Sequence, residues 1–192
     1  MKAVGIILAG GQSDERLKDL CSVRAVSAMP IGSSYRAIDF SLSNMANSNI
    51  KKVAVITQFN PRSLQDHLSS AKWWDLGRKQ GGLFVFTPYV SNNNSFWFRG
   101  TADSIYQNLN FLTKSNETYV VIASGDAVYK MDYYDIIKYH VEKDADITIM
   151  CKDMANTDKD VHDFGIMELD DDNRMIDFEE KPIEPQSTIA SL

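Results

Sequence analysis

The residues of this chain that could do chemistry are glycines and charged side chains that follow short apolar runs. The stretch "LAGG", from Leu8 to Gly11, comes directly after one such run. Backbone amides at a glycine pair can approach a phosphate closely, although a structural turn explains the same glycines equally well. Asp14 and Glu15 follow three and four residues after Gly11, and their charges would repel a polyanionic ligand.

A second segment, "WFRGTADSIYQN" (97–108), places an arginine and a tryptophan before a glycine and a helix start. Arg99 could pair with a phosphate or a carboxylate, and Trp97 could stack on a base or a sugar. Asp103 falls in the first turn of the predicted helix. A capped helix with a solvent-exposed arginine accounts for the same residues.

Two further segments end in charged residues. Asp126 follows a glycine at the end of an apolar run, which is where α/β enzymes hold Mg²⁺ against a substrate phosphate, and it could instead cap a turn. Glu180 and Lys181 are adjacent in "DFEEKP". The acid could accept hydrogen bonds from sugar hydroxyls and the base could bind a phosphate, while a solvated strand end is the alternative.

The apolar pattern predicts the scaffold that must position these residues. Short runs rich in Val and Ile indicate strands buried on both faces, with segments of helical period between them. This alternation predicts an α/β fold with an open, mostly parallel sheet and helices on both faces, and ligands bound at the carboxyl ends of the strands. The predicted strands are 3–9, 52–58, 83–87, 119–124 and 146–151, and the predicted helices are 36–48, 61–71, 101–114 and 132–143.

The pattern changes after residue 151. The runs "FGIMELD" and "RMIDFEEK" predict a β-hairpin whose turn is Asp172-Asn173. The last residues, "TIASL", read as the start of another apolar segment. We therefore expect the chain to be the N-terminal part of a longer protein.

Composition narrows the possible functions. The chain has 192 residues, of which 44% are hydrophobic and 24% charged, as expected for a globular domain. A formal net charge of -6 argues against nucleic acid or an anionic membrane as partner, so any phosphate site must be local. Cys21 and Cys151 lack metal-ligand spacing. No apolar run is long enough to span a membrane, and we expect a cytoplasmic protein.

Taken in order, these segments resemble the sugar-nucleotide pyrophosphorylases, and specifically the glucose-1-phosphate adenylyltransferase (ADP-glucose pyrophosphorylase) family of glycogen synthesis. The resemblance covers almost the whole chain. It rests on "LAGG", "YRAIDFSLSN" (35–44), "VITQ" (55–58), "RGTAD" (99–103), "GDAVYKMDY" (125–133), "FGIM" (164–167) and "DFEEKP" (177–182). It implies a Rossmann-like nucleotide-diphospho-sugar transferase fold, of which residues 1–192 would be the N-terminal part, and a left-handed β-helix domain beyond them.

The resemblance also implies a reaction and its site residues. In active members glucose 1-phosphate attacks the α-phosphorus of ATP in the presence of Mg²⁺, giving ADP-glucose and pyrophosphate. Asp126 is the implied metal ligand, and Arg16 is the catalytic candidate in an altered loop. The implied nucleotide-binding residues are Leu8, Ala9, Gly10, Gly11, Gln58, Gly100, Thr101 and Asp103, and the implied sugar-phosphate-binding residues are Gly165, Glu180 and Lys181.

The chain departs from the family pattern on the side that handles phosphate. Active members usually read "GGxGTRL" and then "RAKPA", whereas this chain reads "GGQSDERL" and "RAVSA". Val26 stands at the lysine position and Ser27 at the proline position, and Ala127 replaces the histidine of "GDH". These changes resemble the GlgD type of subunit, which is thought to assemble with an active subunit and modulate it.

We therefore expect a regulatory subunit with little or no catalysis of its own. Its expected partner is a catalytic ADP-glucose pyrophosphorylase subunit in a hetero-oligomer, with a homo-oligomer as the alternative. Glucose 1-phosphate, ATP and ADP-glucose are the candidate ligands, with Mg²⁺ as cofactor if the site is functional. Two other readings stay open: an active adenylyltransferase, and a protein that senses sugar phosphates without catalysis.

Overall fold

The computed structural model describes residues 1–11, 15–77, 81–90, 96–155 and 161–191, with only the backbone at residues 15 and 16. The chain divides into two compact units, Met1–Tyr139 and His140–Leu192. The boundary falls within a helix, and each unit is described by itself.

The first unit contains a parallel sheet of four strands. In chain order its elements are β1 (Ala3–Ala9), β2 (Pro30–Ile31), β3 (Tyr35–Arg36), α1 (Ala37–Asn47), β4 (Lys52–Thr57), α2 (Arg62–Leu68), β5 (Gly82–Phe86), α3 (Thr101–Gln107), α4 (Leu109–Thr113), β6 (Tyr119–Ser124) and α5 (Tyr133–Glu142). The sheet order is β5-β4-β1-β6, while β2 and β3 form a separate antiparallel pair. Residues Ala9, Thr57 and Ser124 therefore end neighbouring strands at the same edge.

Helices cover both faces of this sheet because successive strand residues point to opposite sides. On one face, α1, α2 and α5 pack through residues such as Leu42, Leu64 and Ile137. On the other face, α3 and α4 pack against Ile6 and its neighbours. A Cβ on Gly5 would lie 2.8 Å from the sulfur of Met45, so this glycine permits the close approach of α1 to β1.

The predicted scaffold of the first unit is confirmed. The four predicted strands between residues 3 and 124 form, and the predicted helices form with small shifts at their ends. The predicted helix 101–114 is divided at Asn108, whose side-chain amide donates to Ser104 O at 2.8 Å. An interior side chain that bonds the backbone competes with helix continuation, which is the physical reason for the break.

The second unit contains an antiparallel sheet. Its strands are β7 (Cys151–Asp153), β8 (Gly165–Leu169), β9 (Met175–Glu180) and β10 (Ile189–Ser191), in the order β7-β10-β8-β9. The predicted hairpin is confirmed as β8 and β9. Asp170 N donates to Arg174 O at 2.9 Å, and Asn173 has φ 61°, as this turn requires.

The predicted strand 146–151 is wrong. Only Cys151 of that run lies in a strand, β7, and it pairs with β10 rather than joining the parallel sheet. Ile147 is 77% exposed. A strand buried on both faces needs a layer on each side, and the described chain supplies none over this residue.

Within the described ranges, no helix combines the length and the apolar character needed to cross a membrane.

Candidate functional site

The loop after β1 presents bare backbone. A Cβ added to Gly10 would meet Gln58 at an ordinary contact distance of 3.6 Å, and no described atom lies within 4 Å of a Cβ added to Gly11. Neither glycine is therefore required by packing within the described chain. The space beside Gly11 lets a ligand approach the backbone, and the predicted nucleotide contacts of Leu8, Ala9, Gly10 and Gly11 stay predictions.

The altered part of the loop is not described. Asp14 lies outside the described residues, and the side chains of Glu15 and Arg16 lie outside them as well. The backbone resumes in a short 3₁₀ segment, Glu15–Leu20. The predicted catalytic role of Arg16 and the predicted repulsion by the two carboxylates stay predictions.

The turn Val26–Ala28 packs against the ends of β1 and β6. A Cβ on Gly125 would lie 3.0 Å from Ala9 Cβ and 3.2 Å from Ser27 Cβ, and Gly125 N donates to Leu8 O at 2.8 Å. Only glycine fits at this contact without displacing its neighbours. The turn that carries the departures from the family pattern is thus held directly beside the glycine that precedes Asp126.

The turn Val26–Ala28 carries a buried hydroxyl, on Ser27, next to an aliphatic side chain, Val26. Ser27 is 2% exposed, and its hydroxyl has no hydrogen-bond partner among the described residues. Val26 is half-buried and places an aliphatic side chain here. The side chains of this turn therefore place no positive charge beside Gly125, and the hydroxyl they supply makes no hydrogen bond among the described residues.

Asp126 follows β6 and is exposed to solvent. Its Oδ1 accepts a hydrogen bond from Ser124 Oγ. Ser41 Oγ, on α1, donates to Ser124 O at 2.7 Å. The carboxylate is thus presented at the carboxyl end of β6 by a backbone that α1 holds in place.

Sequence reasoning missed three residues that fix the backbone on both sides of Asp126. They are buried polar residues on one side of α1 and just beyond its end: Ser41, Asn44 and Ser48. Asn44 donates to Tyr129 O at 3.0 Å and accepts from Met131 N at 3.2 Å, and Ser48 Oγ accepts from Tyr133 N at 2.7 Å. The available signal was their spacing, because polar residues three and four positions apart lie along one helix face.

The fit of Asp126 to a metal ion rests on its donor chemistry. Among the described residues, no group of three or more His, Cys, Asp or Glu side chains could hold a metal ion. Mg²⁺ is commonly bound through one or two carboxylates, with substrate phosphates and water completing its shell. One exposed carboxylate at a strand end fits an ion held mainly by its substrate.

Gln58 ties the end of β4 to the segment before α3. Phe98 N donates to Gln58 Oε1 at 2.6 Å, and Gln58 Nε2 donates to Phe98 O at 3.3 Å. The two residues are 9% and 7% exposed. Both polar ends of the Gln58 amide are therefore engaged with the backbone N–H and C=O of one buried residue, Phe98, and so fix the peptide units on both sides of it. The predicted contact of Gln58 with nucleotide stays a prediction.

Asp103 ties the segment 97–103 to the first turn of α3. Asp103 Oδ2 accepts from Arg99 N at 2.8 Å and from Gln107 Nε2 at 2.9 Å. Trp97 stacks on Phe59 with ring centroids 5.8 Å apart and planes 10° apart. Asp103 thus has a structural role in the described chain, while the predicted nucleotide contacts of Gly100, Thr101 and Asp103 stay predictions.

In the second unit, Gly165 and Glu180 pair across β8 and β9. A Cβ on Gly165 would lie 2.7 Å from the ring of Phe178 and 2.9 Å from Ser191 Oγ, so a larger residue would have to displace these two side chains. Glu180 is exposed. Lys181 directly follows β9 in the left-handed region, with φ 48°. The structure brings all three predicted sugar-phosphate residues to one end of this hairpin.

A parallel sheet with an open glycine loop after its first strand and an aspartate after a neighbouring strand is the architecture of a nucleotide-binding α/β domain. The family model described as nucleotidyl transferase matches residues 4–192, and the chain belongs to that family.

The chain is similar to proteins named glucose-1-phosphate adenylyltransferase. It is 48% identical over 98% of its length to the protein of Thermotoga maritima, 44% identical over 98% to that of Fervidobacterium nodosum, and 41% identical over 100% to that of Geobacillus stearothermophilus. It covers 44%, 45% and 49% of those proteins, so it spans about half the length of these curated relatives. The family resemblance predicted from the sequence is confirmed, and these relatives do not distinguish a GlgD type.

Proposed function

We propose that the protein serves glycogen synthesis as a GlgD-type subunit, which assembles with a catalytic glucose-1-phosphate adenylyltransferase and has little or no catalysis of its own. The observation that carries this proposal is Val26. It lies half-buried on the turn that packs against Gly125, where active members of the family carry a lysine. An aliphatic side chain cannot neutralise the charge that develops on a transferring phosphoryl group.

The size of this loss supports a regulatory role. Removing one preorganised donor to transition-state charge typically costs about 2.7 to 4 kcal/mol, or about 10² to 10³ in rate. The sequence also places Asp14 and Glu15 in the loop after the glycine pair. A carboxylate about 4 Å from a phosphate charge adds a repulsion of about 1 to 4 kcal/mol. Together these terms would leave little turnover.

Residues in each of the two units, taken separately, support retained ligand binding. In the first unit the space beside Gly11 is open and Asp126 is exposed, and in the second unit Glu180 and Lys181 end the hairpin. Asp126 would hold Mg²⁺, which when bound would neutralise negative charge on phosphate oxygens. Lys181 would bind the phosphate of glucose 1-phosphate, and Glu180 would accept from its hydroxyls.

The direct test is ADP-glucose formation from ATP, Mg²⁺ and glucose 1-phosphate. We expect no turnover by the protein alone, and a changed KM or effector response when it is mixed with the catalytic subunit of the same organism. The relative from Thermotoga maritima serves as the positive control. Turnover by the protein alone at a rate comparable with that control would overturn the proposal.

A reversion test addresses the cause of the defect. Val26→Lys, alone and together with replacement of "SDE" by "GT" in the loop, should tighten ATP binding about tenfold, which corresponds to about 1.4 kcal/mol. Val23→Lys is the matched control, because Val23 is 72% exposed on the neighbouring segment. Unchanged ATP affinity in the revertants would place the defect elsewhere.

An active adenylyltransferase is the second candidate, favoured by the names of the relatives and by the retained Asp126. Any turnover that this protein supports through Asp126 should be lost in Asp126→Asn. Turnover that survives this change would point to contaminating enzyme. Binding of glucose 1-phosphate without turnover, in the protein alone and in the mixture, would instead support the sensor reading.

A further inference from the structure

The turn that carries Lys181 has an unfavourable backbone conformation. Lys181 has φ 48°, in the left-handed region, which an L side chain disfavours because its Cβ crowds the following carbonyl oxygen. The next residue is Pro182, and a residue before proline prefers an extended backbone. Local preference alone would therefore straighten the chain at Lys181, so other contacts must hold this turn.

Two hydrogen bonds hold it, and both come from the segment that leads into β8. Lys181 N donates to Phe164 O at 3.1 Å. His162 Nδ1 bonds Pro182 O at 2.7 Å. His162 lies in the short 3₁₀ segment Val161–Asp163, two residues before Phe164. The peptide units on both sides of the Lys181-Pro182 bond are thus anchored to residues 162–164.

The chemistry of the second bond fixes the state of the histidine. A carbonyl oxygen can only accept, so Nδ1 of His162 must carry the hydrogen. This holds for the neutral ring with its hydrogen on Nδ1 and for the charged ring alike. The neutral ring is therefore held in the tautomer that carries its hydrogen on Nδ1.

We propose that His162 is a positioning residue for Lys181: its Nδ1–H holds Pro182 O and so keeps Lys181 in the conformation from which its ammonium group binds the sugar phosphate. The inference rests on the proposed binding of glucose 1-phosphate by Lys181. Loss of the histidine bond frees the turn to relax toward the extended conformation that the proline favours. The side chain of Lys181 then points in a different direction, and its ammonium group no longer lies where it binds the sugar phosphate.

Replacing His162 with asparagine, glutamine or leucine gives variants that differ in whether a donor remains at the position of Nδ1. The Nδ2 of an asparagine lies close to the position of histidine Nδ1, whereas the amide of a glutamine lies close to that of Nε2. His162→Asn therefore keeps a donor to Pro182 O. His162→Gln misplaces the donor and His162→Leu removes it. Because His162 is exposed, all three variants should fold, and thermal unfolding checks this.

The experiment measures two quantities on the whole protein. Calorimetry with glucose 1-phosphate gives the affinity. Hydrogen exchange of the peptide that contains Lys181 gives the stability of the hydrogen bond from the Lys181 amide to Phe164 O. We expect His162→Leu to weaken binding about tenfold and to accelerate exchange of the Lys181 amide about tenfold, the size expected for loss of one hydrogen bond. His162→Asn should remain within about twofold of wild type in both, and His162→Gln should resemble the leucine variant.

The outcomes separate this inference from the proposed function. Wild-type affinity and wild-type exchange in His162→Leu, with binding lost in Lys181→Ala, would overturn the role of His162 and leave the sugar-phosphate site standing. No binding of glucose 1-phosphate by wild type would refute the sugar-phosphate site itself. In that case an unchanged exchange rate in His162→Leu would also overturn the anchoring role of the histidine, and faster exchange would support it.

Discussion

Replacing Gln58 with methionine tests the two hydrogen bonds between the Gln58 amide and the backbone of Phe98, which form a clamp between β4 and the segment before α3. Methionine keeps the length and most of the volume of glutamine but removes both hydrogen bonds to Phe98. The bond from Phe98 N is short, at 2.6 Å, whereas the bond to Phe98 O is long, at 3.3 Å. We therefore assign most of the energy to the first bond.

The magnitude follows from burial. Both residues are less than a tenth exposed, so water cannot readily replace the lost amide. Leaving a buried backbone donor unpaired costs about 1 to 3 kcal/mol, and the longer bond adds a smaller amount. Apolar burial of the methionine side chain returns part of this. We expect Gln58→Met to lower the free energy of unfolding by about 2 kcal/mol.

Urea unfolding followed by circular dichroism and tryptophan fluorescence measures this change. Gln65→Met is the matched control: Gln65 lies exposed on α2, and its replacement should stay within about 0.5 kcal/mol of wild type. The tryptophan signal is informative because Trp97 stacks on Phe59 beside the clamp. Equal stability of the two variants would refute the claim that Gln58 holds Phe98.

Three further predictions concern the surroundings of Asp126. Ser27→Ala should raise the free energy of unfolding by about 1 kcal/mol, because the buried hydroxyl has no described partner; a lower melting temperature would contradict this. Asn44→Leu should destabilise the protein by about 2 to 4 kcal/mol and accelerate hydrogen exchange in residues 129–131, since it orphans Tyr129 O and Met131 N; protected amides there would refute the link. Burial, followed by the hydrogen bond with Tyr129, raises the pKa of the Tyr133 phenol above its usual value of 10.0. The folded state then holds this proton more tightly than the unfolded state, so stability is full below pH 10.0 and falls as pH rises above it. Tyr133→Phe should flatten that alkaline fall in urea titrations, and an unchanged slope would count against it.

Sequence periodicity predicted the scaffold of the first unit because its strands and helices are long enough to show a regular apolar pattern. The same reasoning failed at 146–151, where an apolar run alone cannot say which partner a strand will find. The short strands β7 and β10 carry too few residues for any pattern. Their pairing depends on contacts between distant parts of the chain.

The residue types of the candidate site could be predicted from the sequence, but the contacts that hold these residues in place could not. Glycines and carboxylates after strands are visible in the sequence, whereas the space above Gly11 and the close contact of Gly125 with the turn Val26–Ala28 require coordinates. Asn44 illustrates the limit: a polar helix residue is usually taken to face solvent, and only the structure shows it buried against Tyr129 and Met131.

The hydrogen bonds that join α1 and Ser48 to the end of β6 and the segment after it also constrain how the chain folds. Ser41, Asn44 and Ser48 lie 83 to 87 residues before their partners. During synthesis, the buried polar side of α1 therefore emerges long before the groups that satisfy it. Contacts of such sequence separation form late and slowly. We expect a nascent chain that ends before residue 124 to remain incompletely packed, and to depend on chaperones until the segment that carries Asp126 has been made.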